Sequence, residues 1–258
     1  MNIALDRKTF VRMVDDDILF YNPITGASMV VENGSILASV ITKDFQPCQN
    51  VIKKIAENYN ALYGQVETDY LPLIEDLVSG GLVAVARDAN DCRVKESITA
   101  PTVFRQKFGD GKNPVSLFYR QKNLLLALHI DITSNCNERC VHCYLPGYAK
   151  NFLPYDNVCK VLKEFRAMHG LTVYISGGEC MTHPKFKQIL ELCRDLDLNI
   201  IILSNLTLCD DNMVVFLKEV QPQYVNVSLY SMVAAEHDKI TRISGSWQKT
   251  MDAILACE

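Results

Sequence analysis

Cys136, Cys140 and Cys143 stand close together in the segment Cys136-Asn137-Glu138-Arg139-Cys140-Val141-His142-Cys143-Tyr144. As thiolates on one tight loop they can bind three irons of a cubane. The fourth iron is then left without a protein ligand and open to chelation by a small molecule. Zinc is a second reading, although it takes four ligands, usually from paired CxxC or CxxC/HxxxH groups. His142 lies between two of the cysteines and could not easily share their metal without strain. An inert or redox-only group of thiols is the third reading.

A second group with chemical capacity is Ser176-Gly177-Gly178-Glu179. Two glycines permit unusual backbone angles and close approach by a ligand. Glu179 adds a charge-assisted acceptor suited to an ammonium group. Alone, the same residues read as a tight strand-to-helix turn.

These residues must be carried by regular elements, and the apolar pattern says which. From Leu124 onward strands and helices alternate. Leu124–Ile132, Leu171–Ser176, Ile200–Leu203 and Tyr224–Leu229 read as apolar strands. Between and after them, Val158/Val161/Leu162/Phe165/Met168, Phe186/Ile189/Leu190/Cys193, Phe216/Leu217/Val220 and Trp247/Met251/Ile254/Leu255 mark helical faces, with Asp210 or Asp211 as a cap. Such a pattern implies βαβ units on a parallel sheet. The cysteine segment follows the first strand and Gly177-Gly178-Glu179 ends the second, both at carboxyl ends, where parallel folds build active sites. About four βα units are present, fewer than close a barrel, so a fragment of a longer protein is expected.

The first 85 residues have a different rhythm. Lys8–Val14, Ile18–Tyr21 and Ser28–Glu32 read as strands separated by the turn signals Asn22-Pro23 and Thr25-Gly26. Three helical faces follow, at Ile36–Ile41, Val51–Tyr59 and Tyr70–Val78, closed by Gly80-Gly81, and then a short strand at Leu82–Val85. A small α+β winged-helix-like domain is the reading. Residues 86–123 are charged and irregular around Gly109-Asp110-Gly111, a linker or bridging segment.

Composition narrows the classes. The chain has 258 residues, is 48% hydrophobic and 22% charged, and has net charge −4, so it is globular rather than disordered. Nothing marks it as nucleic-acid binding. A winged helix that binds DNA should have a basic recognition helix, whereas the third helix carries Glu67, Asp69, Glu75 and Asp76. There is no signal peptide and no apolar run of the roughly 18 residues a membrane span needs. Ten cysteines without a secretory signal point to the reducing cytoplasm. The seven outside the triad (Cys48, Cys92, Cys159, Cys180, Cys193, Cys209 and Cys257) read as small buried hydrophobes.

The triad spacing, its place after a strand, and the Gly-Gly-Glu after the next strand together resemble the radical SAM superfamily over residues 124–258. The resemblance implies a radical SAM barrel, here partial, with Cys136, Cys140 and Cys143 holding a [4Fe–4S] cluster whose open iron binds S-adenosylmethionine. It implies cofactor contacts from Gly177, Gly178 and Glu179 to the methionine amino group. His142 is then expected near adenine, and Asn205 and Ser228 near the ribose or the methionyl carboxylate. This chain departs from many relatives at Cys180, where they have proline, and at Tyr230 and Ser231, where they have Asp-Gly after Ser-Leu. The stretches His237–Thr241 and Gly245–Trp247 resemble peptide-modifying members with a SPASM extension, although Arg242 stands where relatives often have glycine.

Residues 1–88 resemble the PqqD-like recognition element of ribosomal-peptide maturation enzymes, on Asn22-Pro23, Ile36–Ile41 and Leu73–Val83. That resemblance implies that a precursor's leader peptide adds beside the small sheet, between Ser28–Glu32 and Asp69–Ser79, with Met29, Val31, Tyr70 and Ile74 as candidate contacts and a plain core role as the alternative for each. The expected organisation is therefore 1–88 peptide recognition, 89–123 linker, and 124–258 radical SAM core. The expected function is radical modification of a ribosomally made precursor peptide, by a thioether or carbon–carbon crosslink or another hydrogen-abstraction product. Its partners would be the leader peptide and a reductase or flavodoxin-like electron donor. Two alternatives remain: a sulfatase-maturating type acting on folded proteins, for which residues 1–85 are dispensable, and a truncated chain that binds peptide without turnover. No residue is assigned as catalytic acid or base.

Overall fold

A computed structural model describes residues 1–86, 113–145 and 151–257, and the chain divides into two units, Met1–Leu124 and Leu125–Glu258. In the first unit, short alternating segments make two antiparallel three-stranded sheets. Strands β1 (Asn2–Leu5), β2 (Phe10–Val14), β3 (Asp17–Tyr21) and β4 (Ser28–Val31) come first. Helix α1 (Ser35–Val40), strand β5 (Gln46–Pro47), helices α2 (Cys48–Tyr59) and α3 (Tyr63–Ser79), and strand β6 (Val83–Ala86) follow. One sheet has the order β5-β1-β6 and the other β2-β3-β4. The β3–β4 turn is built by Asn22, whose Oδ1 accepts from Ile24 N (3.0 Å) and Thr25 N (3.3 Å), an Asx turn. Ile18, Phe20, Leu37, Val51, Ile55, Ile74 and Leu77 are fully buried in one core. Ile74 therefore belongs to that core and not to a groove, because its side chain is spent on packing. Met29, Val31 and Tyr70 are only partly buried against it.

The expected linker 89–123 contains a helix, α4 (Pro114–Gln121), which packs on β3 and β4. Asn113 caps it, accepting from Val115 N at 2.9 Å, and Pro114 supplies the first helical φ. Lys122 then pairs with Asp17 (2.8 Å) and Asp15 (3.3 Å). The remainder of that segment, including Gly109–Gly111 and Cys92, lies outside the described residues.

The second unit is the expected alternation. Strands β7 (Ala127–Asp131), β8 (Thr172–Ser176), β9 (Asn199–Ser204) and β10 (Tyr224–Val227) form one parallel sheet, ordered β10-β9-β8-β7. Helices α5 (Tyr155–Ala167), α6 (Phe186–Asp195) and α7 (Asp211–Val220) connect them. Two helices follow β10, α8 (Ala234–Thr241) and α9 (Ser246–Cys257). Only one helix was expected there. The core gathers Ile132, Val158, Leu162, Val173, Ile175, Ile189, Leu190 and Ile202, all fully buried. It sits between sheet and helices and makes the strand ends a rigid platform. All nine cysteines among the described residues are free, and Cys48, Cys180 and Cys193 are buried as expected. Cys159 and Cys209 are instead half-buried, and Cys257, at the end of α9, is exposed. No helix among the described residues is long and apolar enough to cross a membrane.

Candidate functional site

The site is assembled where the chain leaves β7, β8 and β9. After β7, Ile132 N continues the ladder to Ser176 O at 3.0 Å. Residues 133–135 then run against Gly177 and Gly178. Gly178 N donates to Thr133 O (2.8 Å) and Glu179 N donates to Asn135 O (2.8 Å). A Cβ on Gly177 would stand 2.2 Å from Thr133 O, and φ there is +143°. A Cβ on Gly178 would stand 2.4 Å from Asn135 O. Both glycines are thus required by the approach of the chain to itself. The two sequence clusters are locked together through backbone, so the position of one sets the position of the other.

The Glu179 carboxylate has a structural role that its sequence position did not disclose. It is 1% exposed, and the chain's own donors occupy it. Oε1 accepts from the Ser204 hydroxyl (2.8 Å) and Met181 N (3.0 Å), and Oε2 accepts from Asn205 N (2.7 Å). It therefore clasps the end of β8 to the end of β9. Burial pushes its pKa up, while these donors favour the charged form.

Asn205 is 5% exposed and also committed. Its Nδ2 donates to Asn137 Oδ1 (3.0 Å), its Oδ1 accepts from Thr207 N (3.0 Å), and its carbonyl accepts from Thr250 Oγ1 (2.9 Å). Through Asn137 it holds the cysteine loop. From the other side α8 does the same: Arg139 N donates to Thr241 O and Val141 N to Ile240 O, both at 2.9 Å. The Arg139 guanidinium folds back on the loop carbonyls Cys136 O (2.7 Å) and Glu138 O (2.6 Å).

Within this frame all three cysteines of the triad are half-buried and free. Burial raises the Cys136 thiol and, with the nearby Glu138, pushes Cys140 up to about 12. Glu138 is 2% exposed, and its carboxyl is raised to about 7, chiefly by burial. Its Oε2 accepts from Cys140 Sγ at 3.4 Å, and its Oε1 is buried without a hydrogen-bond partner. Among the described residues no three His, Cys, Asp or Glu side chains gather around a single-ion position. A cubane asks for something else, one thiolate on each of three irons. Three free thiols on one braced, partly open loop fit that group.

A second group, which the sequence reading did not bring together, lies beside the loop. Tyr230, just beyond β10, packs its ring against two histidines. His142 meets it edge-on (centroids 4.6 Å apart, 75°) and His237 stacks on it (5.6 Å, 27°). His237 comes from α8 and is fully buried. Its Nδ1 accepts from Tyr230 N at 3.2 Å, and its Nε2 has no partner. Burial lowers its pKa. His142 is exposed and Ser228 half-buried. Burial pushes the Tyr230 phenol up to about 12. No periodicity signals this grouping, since the residues come from three separate loops and helices.

Comparison with known proteins places this architecture. The chain is 26% identical over 129 residues to the AdoMet-dependent heme synthase of Methanosarcina barkeri, covering 48% of this chain and 36% of that one. It is 29% identical over 128 residues to the antilisterial bacteriocin subtilosin biosynthesis protein AlbA of Bacillus subtilis, covering 48% and 28%. The chain thus spans about a third of the length of these curated relatives. Its fold is similar to that of Streptococcus suis SuiB bound to precursor peptide SuiA, with TM-score 0.54 and 14% identity over 96% of this chain and 52% of that one. SuiB has also been solved bound to S-adenosylmethionine. The family model described as the radical SAM superfamily matches residues 130–258, half of the chain. With that match over the parallel-sheet unit and its cysteine loop, the chain belongs to the radical SAM superfamily, whose members use a [4Fe–4S] cluster and S-adenosylmethionine.

Proposed function

We propose that this chain is the recognition and radical-generating part of a maturase acting on a ribosomally made precursor peptide in the cytoplasm. The observation that carries the radical half is the placing of Cys136, Cys140 and Cys143 on the loop leaving β7, braced by Asn137, Arg139 and the carbonyls of α8. These three residues would hold the cluster. When bound, the cluster and S-adenosylmethionine supply one-electron cleavage to methionine and a 5′-deoxyadenosyl radical that abstracts hydrogen from the substrate; an external reductase or flavodoxin-like donor supplies the electron.

The chain's own residues bind and orient. The backbone of Gly177 and Gly178 would face the methionine amino group, with Glu179 fixing that turn from beneath. His142 would pack on adenine, and Ser228 would reach the ribose or carboxylate. Asn205 holds the cysteine loop in register. Burial of Glu138, Glu179 and His237 under the strand ends keeps water from the inner side of the loop. That matters because a reactive intermediate needs exclusion of solvent.

The peptide half rests on the winged-helix-like, PqqD-like reading of the first unit. It is supported by the likeness in fold to a chain solved with its precursor peptide and by similarity to a bacteriocin biosynthesis protein. A leader peptide would add as a strand beside β4, where Met29 and Val31 are partly buried and Val30 is exposed. The test is anaerobic reconstitution with iron and sulfide, then dithionite and S-adenosylmethionine. We expect 5′-deoxyadenosine from the wild type and none from Cys140→Ala. Added precursor peptide from the same gene neighbourhood should be bound and should change mass. A loaded cluster that yields no 5′-deoxyadenosine sinks the radical reading for this chain. Turnover with no peptide binding sinks the substrate.

A further inference from the structure

The electron that starts the proposed chemistry enters from outside the chain, and the cysteine loop has a defined connection to the surface. Arg139 N donates to Thr241 O and Val141 N to Ile240 O, both at 2.9 Å. These two N–H groups flank Cys140, so the last turn of α8 is bonded to the backbone on either side of one proposed ligand. Two basic residues bracket the same pair of carbonyls. Lys239 and Arg242 are exposed, and neither has a carboxylate partner among the described residues. Val141, on the loop itself, is 56% exposed. An apolar residue of the ligand loop thus lies beside a helix end that carries two unpaired cations. The carboxylates of α8 are engaged otherwise. Asp238 accepts from Gly245 N (2.6 Å) and Trp247 N (2.9 Å), joining α8 to α9. Glu236, in the first turn of α8, accepts from Ser231 Oγ at 2.7 Å.

We propose that the last turn of α8, with Lys239, Arg242 and the neighbouring Val141, is the docking surface for an acidic one-electron carrier protein that reduces the cluster. The chain has net charge −4, so an acidic carrier is repelled by the chain as a whole. Only a local basic patch can steer it to a productive pose. Electron transfer weakens steeply with distance, so the carrier has to seat beside the ligand loop and not at any basic spot. Lys239 and Arg242 also stand at the carboxyl end of their helix, where the helix dipole favours cations. They therefore need no carboxylate of this chain and remain available to a partner. Few charges around a small apolar contact suit a carrier that must leave after each delivery, since electron-transfer encounters are small and weak. One electron passes from the reduced carrier to the cluster, the carrier is oxidised by one electron, and no atom is transferred.

This docking site rests on the radical reading of the triad, and the test separates the two. Wild type, Lys239→Glu, Arg242→Asn and Lys163→Glu chains are reconstituted anaerobically and matched for iron and sulfide content. An acidic flavodoxin is the probe. Binding of its oxidised form is measured by titration calorimetry, and the bimolecular rate of cluster reduction by its reduced form is read in stopped flow. Arg242→Asn removes the charge while tolerating the left-handed backbone at that position. Lys163→Glu makes the same charge change on α5, where Lys163 is exposed. At about 0.05 M salt, Lys239→Glu should lower both affinity and rate on the order of tenfold, and the difference should vanish at about 0.5 M, where exposed charges are screened within a few Å. Arg242→Asn should act the same way by less, and Lys163→Glu should stay near the wild-type values. A loaded Lys239→Glu chain whose affinity and rate match those of Lys163→Glu overturns the docking site alone. So does a loaded wild type that dithionite reduces but flavodoxin neither binds nor reduces. If Lys239→Glu takes up no cluster, Arg242→Asn decides, and wild-type values there overturn the site. A wild type that forms no cluster overturns the ligand assignment and the docking site together.

Discussion

At the scale of single residues, Glu179 separates two readings of the same motif. Its type and place suggested a carboxylate for an ammonium ligand. Its surroundings make it a clasp, with Ser204, Asn205 and Met181 all donating to it. Glu179→Gln keeps the shape but turns an acceptor into a donor facing N–H or O–H groups. A buried group left without its partner costs about 1–3 kcal/mol. We expect the apo protein's second unit to lose stability by that amount, measured by urea unfolding without cofactor. An unchanged apo stability with weakened S-adenosylmethionine binding would instead restore the ligand role. The cysteines were legible because spacing alone limits what three thiols on one loop can do. Glu179 was legible as important, but its structural partners were not, since they belong to the end of β9, which begins 20 residues later.

At the scale of elements, what the sequence disclosed follows burial. Strands β8 and β9 and helices α5 to α7 have apolar faces and were legible from periodicity. Helix α8 was not, because its buried residues are His237 and Thr241; a helix that buries polar side chains leaves no apolar stripe to count. Helix α4 was missed for another reason. Asn113-Pro114 is a start signal, but it is embedded in a charged stretch that reads as linker. The end of α8 also bears on Arg242. That residue ends α8 with φ 58°, the left-handed region, and is exposed. Glycine is the residue that adopts this conformation without a Cβ clash. Arg242→Gly should stabilise the second unit by roughly 1 kcal/mol. Arg242→Val, β-branched, should destabilise it and disturb the carbonyls of Ile240 and Thr241 that hold the cysteine loop. Thermal unfolding of the two variants checks the sign of each, and equal midpoints would show that this helix end does not govern the loop.

At the scale of the whole molecule, the described residues form two separate hydrophobic cores, one in each unit. A substitution in one core should therefore be felt first by that unit. Leu77 is fully buried in the first core. Leu77→Ala removes packing worth about 2–5 kcal/mol, a large part of what a unit of this size can have. Ligand bound only by the folded second unit stabilises that unit alone. We therefore expect the reconstituted Leu77→Ala chain to lose its first unfolding transition to lower temperature and to bind leader peptide poorly. Iron content and uncoupled 5′-deoxyadenosine formation should remain at the wild-type level, because the cysteine loop, the Gly177-Gly178 turn and the clasp of Glu179 all lie within the second unit. A parallel fall in iron content and cofactor cleavage would mean that the radical centre depends on the peptide-recognition unit for its own folding, and the division of labour between the two would have to be abandoned.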